Sequence, residues 1–278
     1  MTEKKLRGIY LLPSIITAVN ISAGFISIIF SIQNSFAAAA WAIIVAMVMD
    51  ILDGRIARMA KATSRFGIEF DSLADLVSFG VAPAILMYKM ILHGLNNPGI
   101  AIALFYVLAG ALRLARFNVK TMEEETPADY IGLPIPAAAA ILASFALSYE
   151  LFEISNEVPV NMIPIVSDRM PFFFKISPIL MVFISVLMVS NVPYASFKKF
   201  KADRPKSLQI IIFTVIAIMM IIIYPQNTFF ILFVGYLLSG LALYLLRYWR
   251  LRKSIIENFQ KRRNGLMKNK MAGDKNEK

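Results

Sequence analysis

The sequence predicts an all-α polytopic membrane protein with about eight transmembrane helices. Hydrophobic residues make up 58% of the 278 residues, and the mean hydropathy of +0.65 is typical of a membrane protein. Residues 8–49 and 207–246 contain no charged side chain, and each stretch is long enough for two helices to cross a bilayer. Lys and Arg cluster beside the apolar stretches, as in cytoplasmic loops. Residues 1–278 are therefore predicted to form a single integral membrane domain.

The first charge-free stretch predicts two spans, at residues 11–32 and 36–53. Residues 33–35 read Gln-Asn-Ser, which are common turn formers and separate two apolar runs. Three basic residues within positions 4–7 precede the first span. By the positive-inside rule they place the N-terminus in the cytoplasm.

Four aspartates flank the connection that follows the second span. Asp50 and Asp53 are three residues apart, whereas Asp71 and Asp75 are four apart, so each pair lies on one face of a helix. An Asp at the bilayer centre costs about 2.5–3.5 kcal/mol, and four carboxylates in one cavity also repel one another. Two divalent cations would cancel their charge, and oxygen ligands favour Mg²⁺, Mn²⁺ or Ca²⁺ over Zn²⁺. The alternative is that the four are capping or interfacial side chains that never meet.

The connection between the aspartate pairs is basic and has no acidic residue before Glu69. Its positive charge predicts that it lies in the cytoplasm. The basic side chains of the connection are Arg55, Arg58, Lys61 and Arg65.

Five more segments predict the remaining six spans. Asn96, Asn97 and Pro98 break the chain after the third span, and prolines open the fifth at a position that a first helical turn tolerates. Residues 225–227 divide the second charge-free stretch into two. The predicted spans are residues 71–90, 99–117, a fifth that begins at 132–136, a sixth at 173–195, and the seventh and eighth within 207–246.

Charge also orients the later part of the chain. Residues 150–170 carry four acidic side chains and one basic one, which predicts an external segment. Residues 247–278 carry eleven Lys and Arg and three acidic residues, which predicts a basic cytoplasmic tail. Both termini are then cytoplasmic.

Composition excludes several classes of function. The chain has no cysteine, which excludes disulfides and thiol chemistry, and its only histidine is His93, which excludes a histidine-based metal centre. The net charge of +11 fits anionic lipid and membrane topology, because the basic residues flank apolar spans. No nucleic-acid partner is therefore predicted.

Residues 50–75 carry a motif in addition to the aspartates. Its spacing resembles the signature of the CDP-alcohol phosphatidyltransferase family, with every motif position filled. The motif is Asp50-x2-Asp53-Gly54-x2-Ala57-Arg58-x8-Gly67-x3-Asp71-x3-Asp75.

This resemblance implies that a CDP-linked lipid donates its phosphatidyl group to an alcohol and that CMP leaves. It implies that two divalent ions, Mg²⁺ or Mn²⁺, are held on the pyrophosphate by the motif carboxylates, and that the last of these, Asp75, is also the general base. The implied metal ligands are Asp50, Asp53, Asp71 and Asp75. The implied CDP-lipid contacts are Thr17, Asn20, Gly54, Arg58, Ser64 and Gly67, although Ser14 replaces the Asn of the family's Pro-Asn-x2-Thr element.

Three further segments resemble the branch of the family that uses L-serine as the acceptor. They are FDSLADLVSFGVAPA at 70–84, RLARFN at 113–118 and GLPIPAAA at 132–139. Arg113 and Arg116 end the fourth span on the side of the aspartates, where one of them is expected to bind the serine carboxylate. The alternative is that both arginines only anchor the helix end in lipid phosphate.

Other readings of the sequence stay open. Another alcohol, such as glycerol 3-phosphate or inositol, is the alternative acceptor, and intramembrane aspartates also occur in cation transporters and channels. CDP-diacylglycerol, L-serine and membrane lipid are the expected partners. The resemblance further implies a homodimer, and the expected location is a bacterial cytoplasmic membrane.

Overall fold

The chain folds into a bundle of long helices. The structure, a computed structural model, describes residues 3–59, 64–123, 130–154, 164–194 and 228–240, together with residues 215, 219, 220, 242–244, 249 and 252. The helices are α1 (Glu3–Ile32), α2 (Phe36–Met59), α3 (Arg65–Asp75), α4 (Ala82–Met90), α5 (Asn97–Glu123), α6 (Ile135–Ile154) and α7 (Pro164–Val189). A π-helical turn, Leu76–Val81, joins α3 to α4, and a 3-10 turn, Leu92–Leu95, precedes α5.

Four helical segments are long and apolar enough to cross a membrane, which confirms an integral membrane protein. They are Pro13–Ile32, Phe36–Ala57, Arg65–Met90 and Asn97–Val119. Shorter apolar helices cover Ile135–Ser148, Lys175–Val189 and Thr228–Tyr244. Most of the predicted seventh span lies outside the described residues, as does most of the basic tail, so the number eight stays a prediction.

The turns after the first and third spans fall where the sequence places them. Asn34 and Asn96 have φ angles of 61° and 56°, a region that Asn tolerates better than most residues. They mark the breaks between α1 and α2 and before α5. The predicted connection at 55–65 is wrong in its bounds, because α2 continues to Met59 through residues with good helix propensity. The third span also begins earlier than Asp71, since Ser64 caps α3.

Small residues allow the helices to pack closely around α6. Every residue from Ala138 to Ser148 is buried, and α6 packs against α2, where Ala39, Ala40 and Ala46 are also buried. Small side chains let membrane helices approach one another, which maximises van der Waals contact. The contact between α2 and α6 is therefore a closely packed part of the core, which also includes residues of α4, α5 and α7.

The third span is held in place at its π-helical turn. Pro83 has no N–H for the carbonyl of Phe79 four residues before it. Tyr106 of α5 is fully buried and its hydroxyl donates to that carbonyl at 3.1 Å. The span that carries two of the aspartates is thereby fixed against α5.

The predicted all-α class is confirmed, and one short two-stranded sheet accompanies the helices of the described residues. β1 (Tyr130–Ile131) pairs antiparallel with β2 (Pro193–Tyr194). Gly132 follows β1 with a φ of +84°, and a Cβ there would collide with the carbonyl of Met188. Two-residue strands have no hydrophobic periodicity that could identify them in the sequence.

Candidate active site

Two helices bring three carboxylates together. Asp50 and Asp53 lie near the end of α2, and Asp71 lies in α3. One carboxylate oxygen from each lies within 4.8 Å of the other two. The reading in which the aspartates never meet is therefore wrong for this triad, which is defined as Asp50, Asp53 and Asp71.

Asp75 lies one turn beyond Asp71 and is more enclosed. It is only 8% exposed, and its carboxylate interacts electrostatically with all three members of the triad. It is not one of the three residues whose oxygens come within 4.8 Å of one another. The structure thus places Asp75 next to the triad but not within it.

Helix α1 supplies polar partners to two of the aspartates. The hydroxyl of Thr17 lies 3.0 Å from Asp53 Oδ2 and donates to it. The side-chain amide of Asn20 donates to Asp75 Oδ1 at 3.4 Å. Both side chains are buried. The residues of the first span that the sequence singled out therefore contact the carboxylates.

The oxygen donors of the triad fit a hard divalent cation. Asp71 Oδ1 is buried and has no hydrogen-bond partner among the described residues, which is costly for a carboxylate oxygen. Three carboxylates at this separation also repel one another. Oxygen ligands of this kind suit Mg²⁺ or Mn²⁺. The acidic cluster could therefore hold a metal, with Asp50, Asp53 and Asp71 as ligands.

The residues expected at the phosphates lie around the start of α3 and the end of α2. Ser64 is the N-cap of α3, and its hydroxyl accepts from the N–H of Gly67 at 3.0 Å. A Cβ on Gly67 would lie 3.2 Å from that hydroxyl oxygen, so glycine allows the tight cap. Gly54 follows Asp53 on α2 and is half-buried. Arg58 lies on the same helix, and its side chain falls outside the described residues.

The two arginines of α5 have different surroundings. Arg113 is 9% exposed, interacts electrostatically with Asp75, and lies 5.8 Å from the centre of the Phe117 ring. Arg116 instead donates to the carbonyl of Val189 and to the side chain of Asn191, so it ties α5 to the end of α7. Of the two, Arg113 is the one beside the carboxylates.

Two contacts at the site have no counterpart among the residues that the sequence singled out. The amide of Asn118 donates to the hydroxyl of Ser72 at 2.9 Å, which links α5 to α3 next to Asp71. The hydroxyl of Ser78 donates to the backbone carbonyl of Asn20 at 3.0 Å. Both serines lie in the segment 70–84, and Asn118 ends the segment 113–118. The resemblance of these two segments to the serine-using branch of the family is the sequence signal that points to these residues.

A family model that describes CDP-alcohol phosphatidyltransferases matches residues 10–188, which include every residue of this site. The chain belongs to this family. The match confirms the identification made from the spacing of residues 50–75. It also disfavours the cation-transporter alternative, because the motif is that of a transferase.

Curated relatives cover most of the phosphatidyltransferase chain. A CDP-diacylglycerol–serine O-phosphatidyltransferase of Helicobacter pylori is 35% identical over 240 residues, 85% of this chain and 92% of the relative. A Bacillus subtilis protein of the same name is 33% identical over 200 residues, 70% of this chain and 96% of the relative. An archaetidylserine synthase of Methanothermobacter thermautotrophicus is 35% identical over 196 residues, 70% of this chain and 73% of the relative. The chain is therefore an enzyme of phospholipid biosynthesis embedded in a membrane.

Proposed function

We propose that this protein transfers the phosphatidyl group of CDP-diacylglycerol to the hydroxyl of L-serine, giving phosphatidylserine and CMP. The observation that carries the proposal is the environment of Asp75, which is buried and interacts electrostatically with both the triad and Arg113. A base in that position can serve an acceptor that carries a negative charge. The printed names of the relatives support serine as that acceptor.

The triad is the proposed binding site for the pyrophosphate of the donor. Asp50, Asp53 and Asp71 would hold two divalent ions, Mg²⁺ or Mn²⁺, with Asp75 as a neighbouring ligand. When bound, the ions would neutralise the charge that develops on the phosphate oxygens. Thr17 keeps the Asp53 carboxylate in one orientation through its hydrogen bond.

The end of α2 and the start of α3 are the proposed contacts for the rest of the CDP-lipid. Arg58 offers a planar pair of donors suited to a phosphate. Gly54 and Gly67 have no side chains, so the donor and the backbone can approach each other closely. Ser64 accepts from the N–H of Gly67 and can donate its own hydroxyl hydrogen to a phosphate oxygen.

Asp75 is the proposed general base. It takes the proton of the serine hydroxyl while that oxygen bonds to the phosphorus that carries diacylglycerol. The bond from this phosphorus to the bridging oxygen breaks, and CMP leaves with the electron pair. A carboxylate is a weak base at neutral pH, so the rate enhancement has to come from its position beside the hydroxyl.

Arg113 is the proposed partner of the serine carboxylate. It is buried next to Asp75, so a carboxylate bound there would bring its hydroxyl towards the base. A guanidinium and a carboxylate can form two parallel hydrogen bonds, which also fixes orientation. Arg116 already contacts the end of α7, and we assign it no role in binding.

The setting of the reaction follows from charge and from the family resemblance. We place the site on the cytoplasmic side of a bacterial cytoplasmic membrane, with both termini in the cytoplasm, because of the basic residues around the site and in the tail. The homodimer implied by the resemblance is part of the proposal. Its test is the mass of the protein in detergent.

A panel of acceptors tests the proposed reaction. Purified protein in mixed micelles with CDP-diacylglycerol and Mg²⁺ or Mn²⁺ should release CMP when L-serine is added, and phosphatidylserine should appear in equal amount. Glycerol 3-phosphate and inositol, each offered alone, should release little. Release with glycerol 3-phosphate and none with L-serine would overturn the assignment of the acceptor, and the family reaction would stand.

A further inference from the structure

Asn20 of α1 contacts Asp75, the proposed general base. Its side chain is fully buried, and its Nδ2 donates to Asp75 Oδ1 at 3.4 Å. The family resemblance assigns this residue to the CDP-lipid, whereas its amide in the structure contacts the carboxylate that serves the acceptor. Asn20 therefore belongs to the acceptor side of the site.

The other polar atom of the same amide needs a donor. Asn20 Oδ1 is buried and has no hydrogen-bond partner among the described residues. Buried acceptors are nearly always satisfied, because removing them from water is otherwise uncompensated. Both polar atoms of an amide sit on one carbon, so Oδ1 lies in the same small space as the Asp75 carboxylate. A substrate group that donates a hydrogen bond would complete this contact.

A hydrogen bond from the third span holds the backbone of Asn20 in position. Ser78, in the π-helical turn just after Asp75, donates to the Asn20 carbonyl at 3.0 Å. Four residues further along α1, a Cβ on Gly24 would collide with Ser78, so the two helices are in closest contact here. The amide is thus held beside the base before any substrate arrives.

The chemistry of the substrates indicates which of their groups can donate a hydrogen bond to Asn20 Oδ1. Phosphate oxygens only accept hydrogen bonds and cannot satisfy an amide oxygen. Serine carries an ammonium on the carbon next to its hydroxymethyl group, and this ammonium has three N–H donors. When the hydroxyl is at Asp75 and the carboxylate at Arg113, the ammonium remains to be bound close to both.

We propose that Asn20 is a specificity residue for the acceptor: Nδ2 orients Asp75, and Oδ1 accepts a hydrogen bond from the ammonium of serine. Serine is then recognised at three points, by Arg113, Asp75 and Asn20. This inference rests on the proposed function, because it requires serine to be the acceptor.

The test compares two acceptors that differ only in the ammonium. L-Serine and 3-hydroxypropanoate share the hydroxyl and the carboxylate, and CMP release is measured with each for the wild type and for Asn20→Leu. The serine KM should rise roughly ten- to a hundredfold in the variant, as expected for a lost hydrogen bond to a charged group. The KM for 3-hydroxypropanoate should stay within about twofold, since it makes no such bond. The kcat should fall for both acceptors, because Asp75 loses its orienting partner.

Ser31→Ala is the matched control. It also removes a buried polar side chain from α1, but the Ser31 hydroxyl donates to the carbonyl of Ser27 and lies about three turns beyond Asn20. The ratio of the two KM values should match that of the wild type. Asn20→Ser is a second variant in case Asn20→Leu does not fold, because a small hydroxyl suits a contact between membrane helices but does not reach the ammonium.

Two results would overturn the inference while leaving the proposed function intact. One is a serine KM that is unchanged in both Asn20 variants, and the other is an equal rise in KM for both acceptors. If the wild type makes no phosphatidylserine from L-serine, the proposed function itself fails.

Discussion

Asp75 differs from the other aspartates in its partners. Asp50, Asp53 and Asp71 lie together as an oxygen cluster, whereas Asp75 has Asn20 on one side and Arg113 nearby. A residue that binds metal and one that moves a proton should respond differently to loss of charge. This difference gives the first prediction.

We expect Asp75→Asn to fold and to bind CDP-diacylglycerol while its turnover falls by roughly 10²- to 10⁴-fold, the usual contribution of a general base. Asp53→Asn should in addition weaken binding of the donor, because the triad loses a ligand. Binding of the donor and release of CMP should be measured on the same preparations. Near wild-type turnover of Asp75→Asn would contradict its assignment as the base.

Metal removal tests the triad directly. We expect EDTA to abolish CMP release and Mg²⁺ or Mn²⁺ to restore it. The thermal midpoint of the protein without substrate should also rise when Mg²⁺ is added, because the ion relieves repulsion among Asp50, Asp53 and Asp71. Asp53→Asn should reduce that rise. Full activity in rigorously metal-free buffer would exclude the metal site.

Substitutions at the two arginines of α5 should have different effects on the serine KM. We expect Arg113→Ala to raise the serine KM by roughly ten- to a hundredfold, and Arg113→Lys to restore it poorly because a point charge lacks the planar pair of donors. Arg116→Ala should mainly lower the thermal midpoint, because it releases the end of α7. A serine KM that responds to Arg116 and not to Arg113 would reverse the assignment.

The helical period of the sequence is enough to predict which aspartates lie together, but not which arginine lies beside them. The spacing of the aspartates predicts their grouping, because two pairs on helix faces need only one helix contact to meet. The spacing of Arg113 and Arg116 cannot distinguish them, since residues three apart share a helix face. Their difference depends on α7, which lies far away in the sequence.

The third span is the element that positions half of the carboxylates. It passes from α3 through the π-helical turn into α4, and Tyr106 satisfies the carbonyl that Pro83 cannot. We expect Tyr106→Phe to destabilise the fold by about 1–3 kcal/mol, because the buried carbonyl of Phe79 is left without a donor. Unfolding in mixed micelles measures it.

Tyr194→Phe is the control for that change. Tyr194 is also buried, but its hydroxyl has no hydrogen-bond partner within the described part of the chain. Removing an oxygen of that kind should have little effect on stability. Equal losses in the two variants would mean that the removal of a buried hydroxyl in general, and not the loss of the bond to Phe79, explains the effect of Tyr106→Phe.

Element boundaries were less predictable than the elements themselves. The sequence places a connection at 55–65, but Arg55 and Arg58 continue α2, and Ser64 caps α3 about two turns before Asp71. The charge of a connection predicts on which side of the membrane it lies, but it does not determine where the flanking helices end. The β1–β2 pair escaped prediction for a related reason, because its hydrogen bonds join segments that are distant in sequence.

At the scale of the whole molecule, the site must face the compartment that holds its water-soluble substrate. Arg55, Arg58, Lys61 and Arg65 lie between the two aspartate pairs in the sequence, which predicts a cytoplasmic site. The turn between α1 and α2, at residues 33–35, then lies on the other side, because α2 crosses the membrane once. The orientation follows from charge, and one labelling experiment can test it.

The chain has no cysteine, so single cysteines give a clean signal. We expect an impermeant thiol reagent applied outside intact cells to label Gln33→Cys, which lies in the exposed turn, and to spare Met59→Cys. Met59 is 84% exposed at the end of α2, so its protection would come from the membrane and not from burial in the protein. Permeabilised cells should show labelling at both positions. The reverse pattern in intact cells would place the aspartates outside and separate the enzyme from cytoplasmic serine.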